Sequence, residues 1–186
     1  MKSLRTTTLI LAALAVVLLP GCTAGNHSAD TVAPVFFTAD ITEGPADVDI
    51  SLPIDVTIPT MTWKSQAKAP GAQLGPQADA VFSEWVVTAT RSDGGTAASP
   101  QWRNFYNVVV PAGGTANLKN YRIFPAEYFK LAPLNQLLPE NGGMDTETGK
   151  RNIRQRLRIE AFGKTIAGDK VQIAFDVDLN FFYLVP

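Results

Sequence analysis

From residue 47 onward, apolar and polar residues alternate with a period of two through most of the chain. In 47–59, DVDISLPIDVTIP, one face carries Val48, Ile50, Leu52, Ile54, Val56 and Ile58. Asp47, Asp49, Ser51, Asp55 and Thr57 occupy the other. Successive strand side chains point to opposite faces, so this run predicts a half-buried strand and not a helix. Pro53 and Pro59 fall on the polar face and cannot donate to a ladder, which predicts an edge strand or a break near Pro53. Residues 80–91, AVFSEWVVTATR, are rich in β-branched and aromatic residues and end in the turn chemistry of Ser92–Thr96. Residues 102–111 read as the returning strand, AGG at 112–114 as a turn, and 115–124 as another strand. Trp85, in mid-strand, is the expected core tryptophan.

The alternation fails between Pro125 and Gly143, where prolines at 125 and 133 predict short helical turns near 125–138 that cover one end of the core. It returns at 153–163 and 171–183. Ile153, Leu157, Ile159 and Ala161 share a face with Gln155, opposite Arg154, Arg156, Arg158 and Glu160. Val171, Ile173, Phe175, Val177, Leu179, Phe181 and Tyr183 face away from Gln172, Asp176, Asp178 and Asn180. With Ala167-Gly168-Asp169 between them, the two runs predict a hairpin. Register follows from charge. Pairing numbers that sum to 334 sets Arg158 opposite Asp176 and Arg156 opposite Asp178, whereas 336 sets Glu160 against Asp176. The expected loop is therefore Ile166-Ala167-Gly168. Seven or eight strands with one helical interruption predict an all-β chain: an antiparallel β-sandwich, immunoglobulin-like or fibronectin-like, with a small barrel as the alternative.

The first 33 residues read differently. Lys2 and Arg5 precede an unbroken apolar run from Leu9 to Leu19, too short at about 1.5 Å per residue to cross a ~30 Å hydrocarbon core. A charged start, a short apolar stretch and a small-residue exit make a secretory signal peptide over 1–21. The run ends Leu19-Pro20-Gly21-Cys22, and Cys22 is the one cysteine in the sequence. This resembles the lipobox of bacterial lipoproteins, with Leu at −3, a small residue at −1 and Cys at +1; Pro20 departs from the usual residue at −2. The resemblance implies cleavage before Cys22, a diacylglycerol on its sulfur, an acylated (palmitate-type) amine and anchorage in the cell-envelope membrane. Thr23 rather than Asp after the cysteine implies the outer membrane, by analogy with enterobacterial sorting. Residues 22–33 then read as a lipidated, flexible tether and 34–186 as a single domain.

Composition narrows the function further. Without Lys2 and Arg5, 14 basic residues face 17 acidic ones, which gives no electrostatic reason to expect nucleic acid. The single histidine, His27, lies in the predicted tether, so a histidine-based nucleophilic site would need it to fold back from there. Zinc, haem and iron–sulfur ligand sets are missing, as are phosphate-cradling glycine loops, so no cofactor is expected. Asp47 with Asp49, or Asp176 with Asp178, could serve a carboxylate-dependent hydrolase, but outward strand acids paired with arginines are the plainer reading. The 140–150 loop, ENGGMDTETGK, offers oxygens for a hard cation or simply forms a polar turn.

For binding, the Gly/Pro-rich stretch 59–77 reads as a long loop displaying Trp63. The C-terminal FFYL presents Phe182 and Leu184 as candidate partner contacts. The function expected is a non-enzymatic interaction or scaffold module with an envelope partner. The alternative is a small-ligand or polysaccharide binder using Trp63 and the arginine strand. Replacing Cys22→Ala is expected to abolish incorporation of radiolabelled fatty acid; label retained in that variant would refute acylation at this residue.

Overall fold

The computed structural model describes residues 27–28, 31–44 and 46–184, so Cys22 and the predicted signal peptide lie outside the described residues. The described residues form ten strands: β1 (His27–Ser28), β2 (Val35–Glu43), β3 (Asp47–Asp49), β4 (Val56–Ala67), β5 (Ala80–Arg91), β6 (Trp102–Asn104), β7 (Val108–Val110), β8 (Thr115–Phe124), β9 (Asn152–Thr165) and β10 (Lys170–Phe182). One sheet has the order β2-β4-β8. The other runs β10-β9-β5, with β6 and β7 both on the outer edge of β5 and β1 and β3 both on the outer edge of β10. The chain thus passes between the two sheets several times, and the fold is an antiparallel β-sandwich with one short parallel pairing, β3 on β10.

The β9–β10 hairpin has the expected register: every pair from Lys170↔Lys164 to Phe182↔Asn152 sums to 334. Arg158 reaches Asp176 at 3.2 Å and Arg156 reaches Asp178 at 3.0 Å across the solvent face. The apolar faces of both strands are buried. The expected strands at 80–91 and 115–124 match β5 and β8 in both bounds.

The core closes around rings from both sheets. Trp63 of β4 lies 4.8 Å from Trp85 of β5, which stacks on Tyr121 of β8 at 4.2 Å. Phe82 meets Trp63 and Phe37 edge-on at 4.8 and 5.1 Å. The 124–143 segment forms three 3-10 turns, Ala126–Lys130, Leu134–Leu137 and Pro139–Asn141. Phe129, Leu134 and Leu137 are buried there, so the segment caps one end of the core as expected.

Three expectations are corrected. The 59–77 stretch is not a long loop, because β4 runs to Ala67. Met61, Trp63 and Ser65 alternate as the inward face of a pleat and all three are buried, the phase having changed across Pro59–Thr60 from that of the buried Val56 and Ile58. Pro59 is tolerated inside β4 because β2 pairing stops at Thr60 and the β8 register passes over Pro59 and Asn120. Secondly, the 47–59 run does break near Pro53, so Leu52 and Ile54 leave the core face and are 53% and 65% exposed. Thirdly, part of the expected tether is tied down: His27 and Ser28 pair with Ala174 and Ile173, and Ala33 is buried.

A bulge between Phe82 and Glu84 interrupts the β5–β9 ladder opposite Gly163 without disturbing the β9–β10 register. A Cβ on Gly163 would sit 2.3 Å from the Val81 carbonyl oxygen and 2.7 Å from the Phe82 Cα. Backbone cannot yield as a side chain can, so Gly163→Ala is expected to cost about 3 kcal/mol, read as a lower urea midpoint at unchanged m-value.

Candidate functional site

The break between β6 and β7 is built from Asn104-Phe105-Tyr106-Asn107. The Asn104 side-chain oxygen accepts from the Phe105 amide at 2.8 Å, a local bond that competes with the ladder and turns the chain out of the sheet edge. Phe105 and Tyr106 are thereby left 72% and 54% exposed. The bend is fixed from below, where the Trp85 indole N–H donates to the Tyr106 carbonyl at 2.9 Å. The exposed pair is therefore tied to a fully buried core ring.

Behind Tyr106 a cleft of about 300 Å³ opens between the edges of the two sheets. It is lined by Asn104, Tyr106, Leu118, Lys119, Tyr121 and Arg122, with Asn120. Asn120 has a φ of 50°, the left-handed conformation that asparagine tolerates better than most residues, at the point where β8 passes Pro59 without pairing. The Tyr121 ring is buried beside Asn104, and burial pushes its phenol above the usual range. Arg122 is held at one side by Asp55 at 2.9 Å and lies 5.0 Å over the Trp102 ring. Stacking rings, amide groups and a fixed cation suit docking of a peptide segment or a sugar.

A second polar cluster lies beyond the C-terminal end of β5. The Arg91 guanidinium is almost wholly buried and bonds Asp93 at 2.8 and 3.0 Å and Asp145 at 2.7 Å. Thr148 donates its hydroxyl to Asp145, and Glu147 accepts from the Thr96 hydroxyl at 2.7 Å. Gly95 is packed so closely on Arg91 that a Cβ would stand 2.4 Å from the guanidinium carbon. Burial alone would raise the Asp93 carboxyl, but Arg91 and the amides of Arg154 and Gly95 outweigh it and hold the pKa at about 2. Asp145 is lowered in the same way, with burial opposed by Arg91 and Thr148. The 140–150 loop is thus a clasp on a cation the protein itself supplies, and among the described residues no group of three His, Cys, Asp or Glu could hold a metal ion.

The residues expected to make contacts do not converge. Trp63 is 0% exposed, fixed in the ring stack. Phe182 is half-buried, and Leu184 is 60% exposed with its amide on Asp49. Of the arginines, Arg156 and Arg158 are paired with strand acids. Asp47 accepts from Asn180, and Asp49 from the amides of Ser51 and Leu184. The Phe105–Tyr106 bend was missed because 102–111 reads as one strand; two asparagines flanking two aromatics, N-F-Y-N, were the available turn signal.

The chain matches no protein-family model, no curated protein and no solved structure. Acid is expected to loosen the Arg91 clasp. Carboxylates held below their unfolded value stabilise fully above about pH 4 and lose that contribution as pH falls toward 2. Tryptophan-monitored urea titrations should show this fall. Asp145→Asn, which leaves Arg91 partly unpaired, is expected to cost about 3 kcal/mol at neutral pH.

Proposed function

We propose that this is a lipid-anchored cell-envelope protein whose β-sandwich works as a non-enzymatic interaction or scaffold module, with the Phe105–Tyr106 bend as its contact for an envelope partner. The anchoring half rests on the lipobox-like Leu19-Pro20-Gly21-Cys22 that follows the signal-like run. Thr23 after the cysteine favours the outer membrane. The binding half is carried by one observation: two adjacent, exposed aromatics on a bend that the core tryptophan fixes in place. Large, rigid rings with few rotamers to freeze make strong contact residues.

The cleft behind Tyr106 favours a second reading, a small-ligand or polysaccharide binder. Its size lies at the lower limit for such sites, and its Asn104, Lys119, Asn120 and Arg122 groups suit hydroxyls.

The two readings part on one experiment. A photo-crosslinking amino acid at position 105, in cells, is expected to capture a discrete envelope protein, whereas the same probe at position 166, on the distant hairpin tip, captures none. A Phe105→Ser, Tyr106→Ser double variant should keep the thermal midpoint and lose partner co-purification at least tenfold. Equal adducts at 105 and 166, or none at 105, would sink the partner reading. Retention on immobilised polysaccharide, lost in the double variant, would favour the second.

A further inference from the structure

On the solvent face of the β9–β10 hairpin, every rung that opposes two charged residues matches them in sign except one. Arg158 is set against Asp176 and Arg156 against Asp178. Near the turn, Lys170 is set directly against Lys164. Like charges opposed on neighbouring strands, with Cβ atoms about 4.5–5.5 Å apart, destabilise a sheet. Both lysines are exposed, and among the described residues neither ammonium has an acidic partner. A hairpin that keeps the rule elsewhere and breaks it at one rung marks that rung as serving something other than stability.

The rung borders a hollow of about 520 Å³ on the outer face of the larger sheet, with Val81, Ser83, Glu84, Phe162, Lys164 and Lys170 in its wall. The β5 bulge shapes it. Phe82 pairs with Gly163 and Glu84 with Phe162, so Ser83 is the extra residue and has no partner across the ladder. A bulge of this kind bends its strand and re-aims the side chains around it. Gly163 permits the bend, since a Cβ there would meet the Val81 carbonyl oxygen. Val81 pairs with Lys164, and Glu84 with Phe162, so these four side chains share the outward face. Val109, 57% exposed, pairs with Val81 from the other side and extends the apolar part of that face.

Two kinds of surface meet in this wall. Val81 and Phe162 are apolar, while the two ammonium groups and the Ser83 hydroxyl are donors. The nearby carboxylates are already engaged. Glu84 pairs with Arg103 at 2.8 Å, and Glu160 accepts from the Gln172 amide at 3.1 Å. The uncompensated charge therefore belongs to Lys164 and Lys170. Two separate point cations match the two oxygens of a carboxylate. Phosphate sites draw more often on arginine forks or rows of backbone amides, and no arginine lines the hollow. Its volume falls within the range of small-molecule sites.

We propose that this hollow binds a small amphiphilic carboxylate, an anion with an acyl or aryl body. Lys164 and Lys170 hold the carboxylate, and Val81 and Phe162 receive the apolar part. The bound anion sits between the two ammonium groups and removes their repulsion, so the cost carried by the empty rung is returned on binding. The site shares no residue with the cleft behind Tyr106 and does not depend on the membrane anchor.

The test titrates the full chain, held in phosphatidylcholine nanodiscs, with para-fluorophenylbutanoate followed by fluorine NMR; empty nanodiscs give the blank. Saturable binding is expected with a Kd of about 1 mM or tighter, in line with a probe of this size. The neutral amide of the same probe should bind about tenfold more weakly or worse, because it lacks the charge-assisted bonds. Lys164→Glu turns the like-charge rung into an opposite-charge one, so it is expected to raise the thermal midpoint while abolishing binding of the carboxylate. A Lys164→Gln, Lys170→Gln double variant should lose binding with an unchanged or higher midpoint. Acetate should compete poorly. No saturable binding above the blank, equal binding of acid and amide, or binding unchanged in Lys164→Glu would each overturn the site. Acetate that competes as well as the probe would overturn the apolar half, and a lower midpoint in Lys164→Glu would overturn the strained rung from which the site is inferred.

Discussion

Five rings hold the two sheets of this protein at one spacing and angle. Phe37, Phe82, Trp63, Trp85 and Tyr121 pass contact from sheet to sheet with centroids 4.2 to 5.1 Å apart, and they come from β2, β5, β4, β5 and β8. Each ring buries a large area and prefers tilted or edge-on contact, so the column tolerates few other arrangements of the sheets. No disulfide is open to a chain with one cysteine, and the stack does the joining instead. Everything else hangs from it: the indole of Trp85 fixes the Phe105–Tyr106 bend, and the phenol of Tyr121 floors the cleft behind it.

Away from the stack, the ends of the sandwich are closed by different means. At one end apolar 3-10 turns lay Phe129, Leu134 and Leu137 over the core. Beside them a buried guanidinium joins two loops, binding Asp93 in one and Asp145 in the other, and Thr96 of the first also donates to Glu147 of the second. A buried ion pair is weak evidence of net stability, because desolvation offsets much of the attraction. Its contribution here is specificity: only one placement of the 140–150 loop satisfies Arg91, Asp145 and Thr148 together. At the other end β9 and β10 turn through a short loop, and a close backbone approach there is met by a glycine at 163.

Function, as proposed, divides between two edges of the larger sheet. β6 and β7 leave the ladder to display aromatics on one edge. The other edge, along β10, receives the N-terminal chain through β1. An anchored module with its contact residues on the far edge would present them away from its own attachment. That arrangement follows from the strand order and needs no moving part.

Some of this was written in the sequence. Period-two alternation determined the strands, and charge matching determined the β9–β10 register to the residue, because a slip of one or two positions exposes apolar side chains or opposes like charges. The prolines at 125 and 133 marked the capping turns, and the lone cysteine after its apolar run marked the lipobox resemblance. Only the tertiary structure decided the rest. Trp63 reads as a loop residue among prolines and glycines, yet it is buried because Trp85, some twenty residues away in the chain, supplies its stacking surface. Leu52 and Ile54 share a phase with the core but are exposed because the chain turns at Pro53, and phase carries no information about a turn. Asp145 reads as part of a polar turn or as one oxygen ligand for a hard cation until Arg91 is found beside it. In each case the deciding partner is distant in sequence, and local pattern records which way a side chain points but not what it meets there.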